Sequence, residues 1–113
     1  MEFNDLAKRA ARIRELYAEW EKERYGRSWT REEIALGFMG DVGDLMKLVL
    51  AQSGVRHIEN ADQKLAHELA DCLWSILILS QKYDIDLEQA FLHTMDELEE
   101  SLTHSATQQK RES

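Results

Sequence analysis

Two pairs of carboxylates, Asp41-x-x-Asp44 and Glu68-x-x-Asp71, stand where acids are costly to place. On a helix of 3.6 residues per turn, acids three apart project roughly 60° from one another and share a face. Asp41 and Asp44 share theirs with Ile34, Leu45 and Leu48, so two carboxylates point the way the core should lie. The second pair lies within Leu65 to Leu79, which reads LAHELADCLWSILIL and is apolar on nearly every side. A helix of that composition is normally buried. An unpaired carboxylate there must be compensated or protonated.

Three compensations are open. Basic residues are one, and Lys47, Lys64, His67 and Lys82 are the cations near the two pairs. Water in a cleft is another. Magnesium is the third, a hard cation that takes oxygen ligands and keeps waters for phosphates to replace. Paired acids on facing helices also build metal sites in bundle cores. The plain alternative is a solvated helix face, where such spacings are common.

At these residues the chain resembles the MazG-like, all-α nucleoside triphosphate pyrophosphohydrolases, whose hallmark is an E-x-x-E pair on one helix and an E-x-x-D pair on the next long one. Gly40-Asp41-Val42-Gly43-Asp44-Leu45 is similar to the Gly-Glu-Val-Gly-Glu-Leu form of the dCTP-pyrophosphatase branch. His67-Glu68-Leu69-Ala70-Asp71-Cys72-Leu73 is similar to the family's second motif, and Tyr83 to Phe91 resembles the turn into its last helix. The resemblance implies Mg²⁺, or Mn²⁺, held by Asp41, Asp44, Glu68 and Asp71. It implies cleavage of an NTP or dNTP to the monophosphate and pyrophosphate, with Asp41 and Glu68 the candidate catalytic acids and Lys47 and His67 the candidate substrate contacts. It also implies a homodimer or homotetramer.

The chain departs from that pattern in two places. Aspartates replace both glutamates of the first pair, which shortens each reach by roughly 1.3 Å, so the helices must sit closer or a water must intervene. Gly37, Gly40 and Gly43 either permit that approach or make room for bulky neighbours. The family often places Lys and Asn on its last helix, whereas this chain reads Thr94-Met95-Asp96-Glu97-Leu98-Glu99-Glu100. Lys47 and Arg56 are the cations left to serve a triphosphate. A non-catalytic, metal-binding helical oligomer or interaction module is therefore the rival reading.

The elements that must position these acids are helices, because the chain has no proline and its few glycines fall mostly at edges. The first helix is predicted from about Asn4 to Tyr25, with a stripe of Leu6, Ile13, Leu16, Tyr17 and Trp20, ending at Gly26. The second opens on Thr30 and Glu33, a capping box, and ends near Gln52. The third runs from about Asn60 to Tyr83. The fourth starts at Asp86, with Leu87, Phe91, Met95, Leu98 and Leu102 as its core face. The fold class is thus all-α, a four-helix bundle completed by oligomerisation, with a single domain over 1–104 and a polar, disordered tail over 105–113.

Composition sets the outer limits. A chain of 113 residues makes one domain with one core. A net charge of −8 repels a polyanion, which argues against nucleic acid as a partner. No apolar run is long enough to span a bilayer, and no signal-peptide pattern opens the chain. The lone Cys72 can form no internal disulfide, which suits a reducing cytoplasm. Trp29 and Trp74 read as core or as stacking partners for a base, His67 as a partly buried structural residue, and Cys72 as inert.

Overall fold

The computed structural model describes residues 1–112, with side chains to Ser105. Four α-helices follow one another: α1 (Phe3–Tyr25), α2 (Arg31–Gln52), α3 (Ala61–Lys82) and α4 (Leu87–Glu112). No strand occurs among the described residues. The all-α class is as the sequence predicts, and the helix ends follow its punctuation. Gly26 closes α1 at φ 81°, a left-handed conformation, while its N–H bonds the Lys22 carbonyl. Thr30 Oγ1 accepts from the Glu33 N–H at 3.2 Å and Glu33 accepts from the Thr30 N–H at 3.1 Å, so the predicted capping box forms. Arg27 pairs with the same Glu33 and, with the Thr30 N–H, holds that carboxyl down at a pKa of about 2. Asp86 Oδ1 accepts from the Gln89 N–H at 3.1 Å at the start of α4.

α2 and α3 pack along each other, and α1 touches α3 over a shorter stretch. Ala10, Ile34, Leu77 and Ile78 form the buried cluster, with Phe3, Trp74, Leu79 and Leu87 packed against it. Two side chains tie α1 to α3: Trp74 Nε1 donates to the Ala10 carbonyl at 3.1 Å, and Gln81 Nε2 to that of Ala7 at 3.0 Å.

Three expectations are corrected here. α1 buries Ala10, Arg14 and Glu21, while Leu6, Leu16, Tyr17 and Trp20 of the predicted stripe are exposed. The contact with α3 is narrow, and the small Ala10 is the α1 residue of the buried cluster. α3 is buried on one side only, since Leu69, Leu73 and Ile76 face outward. α4 leaves the other helices after Leu87: every described residue from Glu88 to Ser105 is exposed, including Phe91, Met95, Leu98 and Leu102. The radius of gyration is 18.9 Å, against about 13 Å for a compact chain of this length. Within one chain, then, α4 closes no bundle. Its backbone stays helical to Glu112, through the segment read from sequence as a tail. Ser113 and the side chains from residue 106 on lie outside the described residues.

Candidate metal centre

The packing of α2 on α3 brings both acidic pairs together. Ligand oxygens of Asp41, Asp44 and Glu68 lie within 4.8 Å of one another, and so do ligand atoms of His67, Glu68 and Asp71. Glu68 belongs to both groups and is their centre. Local sequence explains the arrangement: Ile34 and Leu48 anchor one face of α2, Cys72, Ser75 and Ile78 anchor one face of α3, and the acids flank those anchors. Asp41, Glu68 and Asp71 are half-buried, while Asp44 is exposed.

Charge in this setting is under strain. Burial pushes the Glu68 carboxyl above its ordinary pKa, and the nearby Asp71, Asp41 and Asp44 push it further. Burial and then Asp71 and Asp44 raise Asp41 in the same way. Glu68 Oε2 is buried with no hydrogen-bond partner among the described residues. An orphaned carboxylate oxygen facing other carboxylates fits a bound cation. Two oxygens on one magnesium lie at most roughly 4.2 Å apart, twice the bond length. Neighbouring oxygens on an octahedral magnesium lie roughly 3 Å apart, so the three acids draw in from the 4.8 Å within which their oxygens lie before they share one ion.

The glycines divide. A Cβ at Gly37 would meet the Trp29 ring at 3.4 Å, whereas Gly40 and Gly43 have nothing within 4 Å of theirs. Gly37 thus lies against an aromatic ring, and none of the three marks a close approach of α2 to α3 within the chain.

The predicted substrate contacts lie on the rim. Lys47 Nζ stands 4.0 Å from Asp44 Oδ1, and His67 Nε2 stands 3.1 Å from Asp71 Oδ2. The His67 side chain is 71% exposed, which corrects its reading as a partly buried structural residue. A groove of about 350 Å³ runs past Asp44, Lys47, Gln63, Lys64, His67 and Glu68. Lys64 was missed as a site residue, although its spacing of four from Glu68 places both on one face. Arg56 lies exposed in the α2–α3 connection. Cys72 is buried, and burial followed by Asp41, Glu68 and Asp71 raises its thiol pKa, as befits an unreactive thiol.

On the other side of the acids lies a cavity of about 240 Å³, bordered by Asp41, Trp29, Trp74, Ser75 and Arg14. Arg14 and Glu21 form a buried pair, and Glu21 Oε1 also accepts the Trp29 backbone N–H at 2.8 Å. Sequence reading passed over both residues. Their signal was the spacing Ala10, Arg14, Glu21, which keeps all three on one helix face.

No helix among the described residues is long and apolar enough to cross a membrane. No curated protein and no solved structure matches the chain. The family model described as the MazG nucleotide pyrophosphohydrolase domain matches residues 30–104, the span that carries both acidic pairs, and the chain belongs to that family.

Proposed function

We propose that the protein is a Mg²⁺-dependent pyrophosphohydrolase that cleaves an NTP or dNTP to the monophosphate and pyrophosphate, with its closest likeness in the dCTP-pyrophosphatase branch. The observation that carries this reading is Glu68, whose buried Oε2 lacks a partner at the centre of four carboxylates. Asp41, Asp44, Glu68 and Asp71 would hold the ion. Magnesium there supplies Lewis acidity and neutralises phosphate charge that a chain of net −8 otherwise repels. Lys47, Lys64 and His67 line the adjoining groove and offer donors to phosphate oxygens. Asp41 and Glu68, whose carboxyls burial and their acidic neighbours hold above the ordinary range, are the candidate proton acceptors.

The protein assembles as a homo-oligomer on this reading. The stripes Leu69, Leu73 and Ile76 on α3 and Phe91, Met95, Leu98 and Leu102 on α4 are exposed in the single chain. Contiguous apolar surface of that extent belongs to an interface. A reducing cytoplasm suits the free Cys72.

A second reading, a metal-binding helical oligomer without turnover, draws support from α4. Its segment from Asp96 to Glu100 is acidic and exposed and carries no basic residue for a phosphate. Pyrophosphate release from a panel of canonical and modified NTPs and dNTPs, with Mg²⁺ or Mn²⁺, separates the two. Turnover that disappears in Glu68→Gln supports the hydrolase. Metal-dependent thermal stabilisation without turnover on any nucleotide supports the non-catalytic oligomer.

A further inference from the structure

The cavity beside Asp41 has the size and the chemistry of a base site. At about 240 Å³ it is smaller than the roughly 300 Å³ at which drug-sized pockets begin, so it takes a ring rather than a whole nucleotide. Trp29 and Trp74 stand at its walls, and the Trp29 ring lies against Gly37 of α2. Aromatic faces of this kind stack on bases without regard to sequence. Asp41 belongs both to the cavity wall and to the carboxylate group, so a ring in the cavity leaves its phosphates beside the metal centre.

Two buried polar residues face this space. Ser75 is 5% exposed and its hydroxyl makes no hydrogen bond among the described residues. Helical hydroxyls usually bond back to a carbonyl one turn earlier, as Ser80 does to Leu77 at 2.7 Å and Thr94 to Ala90 at 2.8 Å. Arg14 is 8% exposed and spends one guanidinium nitrogen on Glu21. A guanidinium carries five N–H donors and no acceptor. It matches an edge with two adjacent acceptors and clashes with an edge that offers an N–H. Guanine (N7 and O6) and cytosine (N3 and O2) present such edges, whereas adenine and uracil or thymine set a donor beside an acceptor.

We propose that this cavity is the base subsite and that Arg14, held in place by Glu21, selects nucleotides whose base presents two adjacent acceptors, guanine or cytosine. The proposal rests on the hydrolase reading for its phosphates but not for its base contacts. Arg14 lies on α1, outside the residues 30–104 that carry the family match, so the selection belongs to this chain's own first helix.

The test is ligand-observed NMR with guanosine, cytidine, adenosine and uridine, free of metal and phosphate, alongside pyrophosphate release from the four triphosphates. The wild type should bind guanosine or cytidine about tenfold or more tighter than the base with a donor at that edge. Arg14→Met should abolish the preference. Because that variant leaves Glu21 buried alone, Arg14→Met with Glu21→Gln is measured beside it, each checked by circular dichroism. Ser75→Ala, with Arg14 intact, should weaken binding and keep the preference. Equal binding of all four nucleosides, or a preference that survives in the folded double variant, overturns the assignment. Turnover with no base preference overturns it too and leaves the hydrolase standing. Base preference without turnover of any triphosphate leaves the subsite standing and removes the hydrolase.

Discussion

Glu21 Oε1 accepts from the Arg14 guanidinium and, at 2.8 Å, from the Trp29 backbone N–H. One buried carboxylate oxygen thereby joins the middle of α1 to the residue just before the Thr30 cap of α2. Burial raises the Glu21 pKa, but the Arg14 hydrogen bond and the Trp29 N–H outweigh it and hold the group below its ordinary value. A depressed carboxyl stabilises the fold above its unfolded pKa, and that contribution fades as pH falls through the folded value. Arg14→Met alone strands a buried charge and should cost about 3–5 kcal/mol in urea unfolding at pH 7. Arg14→Met with Glu21→Leu should recover most of it. A single variant as stable as the wild type would mean the pair contributes nothing.

Asp41 and Glu68 give the opposite sign. Both carboxyls are raised by burial first and by their acidic neighbours second. Between the ordinary carboxylate pKa of about 4 and their raised values, the folded chain keeps protons that the unfolded chain has released. Metal-free protein should therefore lose melting temperature as pH rises above the ordinary carboxylate range, and Glu68→Gln should flatten the fall. Differential scanning fluorimetry across that window reads this directly.

Magnesium should reverse the effect at neutral pH, because it binds the ionised folded site and not the unfolded chain. A ligand at 100 times its Kd stabilises by about 2.7 kcal/mol. Titration of Mg²⁺ at pH 7 should raise the melting temperature of the wild type and leave Glu68→Gln unmoved. An equal rise in both would place the ion elsewhere.

The exposed stripe of α4 makes an assembly testable. Sedimentation velocity should give at least twice the 13.2 kDa chain mass. Leu98→Glu, which puts a charge in the middle of the stripe, should drive the species toward the monomer. A monomeric wild type would refute the assembly.

The α2 cap offers a control far from the charges of the site. Thr30→Ala removes the oxygen that accepts the Glu33 N–H and should cost about 1 kcal/mol in chemical unfolding. The Arg27–Glu33 pair beside it holds until pH falls toward about 2, so acid should not mimic the mutation above that value.

Helix number, helix ends and the four acids were all present in one dimension. Gly26 and the Thr30–Glu33 box are local devices, formed by residues within a turn or so of each other, so spacing alone reveals them. The acidic pairs stood out for a similar reason: three-residue spacing sets a shared face, and apolar neighbours make charge there conspicuous. What packs against what is a different kind of information. Only the fold showed that Glu68 joins both groups, that Lys64 enters the groove, and that Arg14 and Glu21, not Leu16 or Trp20, are the buried residues of α1. The same holds for α4, whose stripe has the period of a core face yet stays exposed in its own chain. Periodicity states that a face is apolar; which surface covers it depends on helix directions set by long-range packing, and no local spacing encodes those.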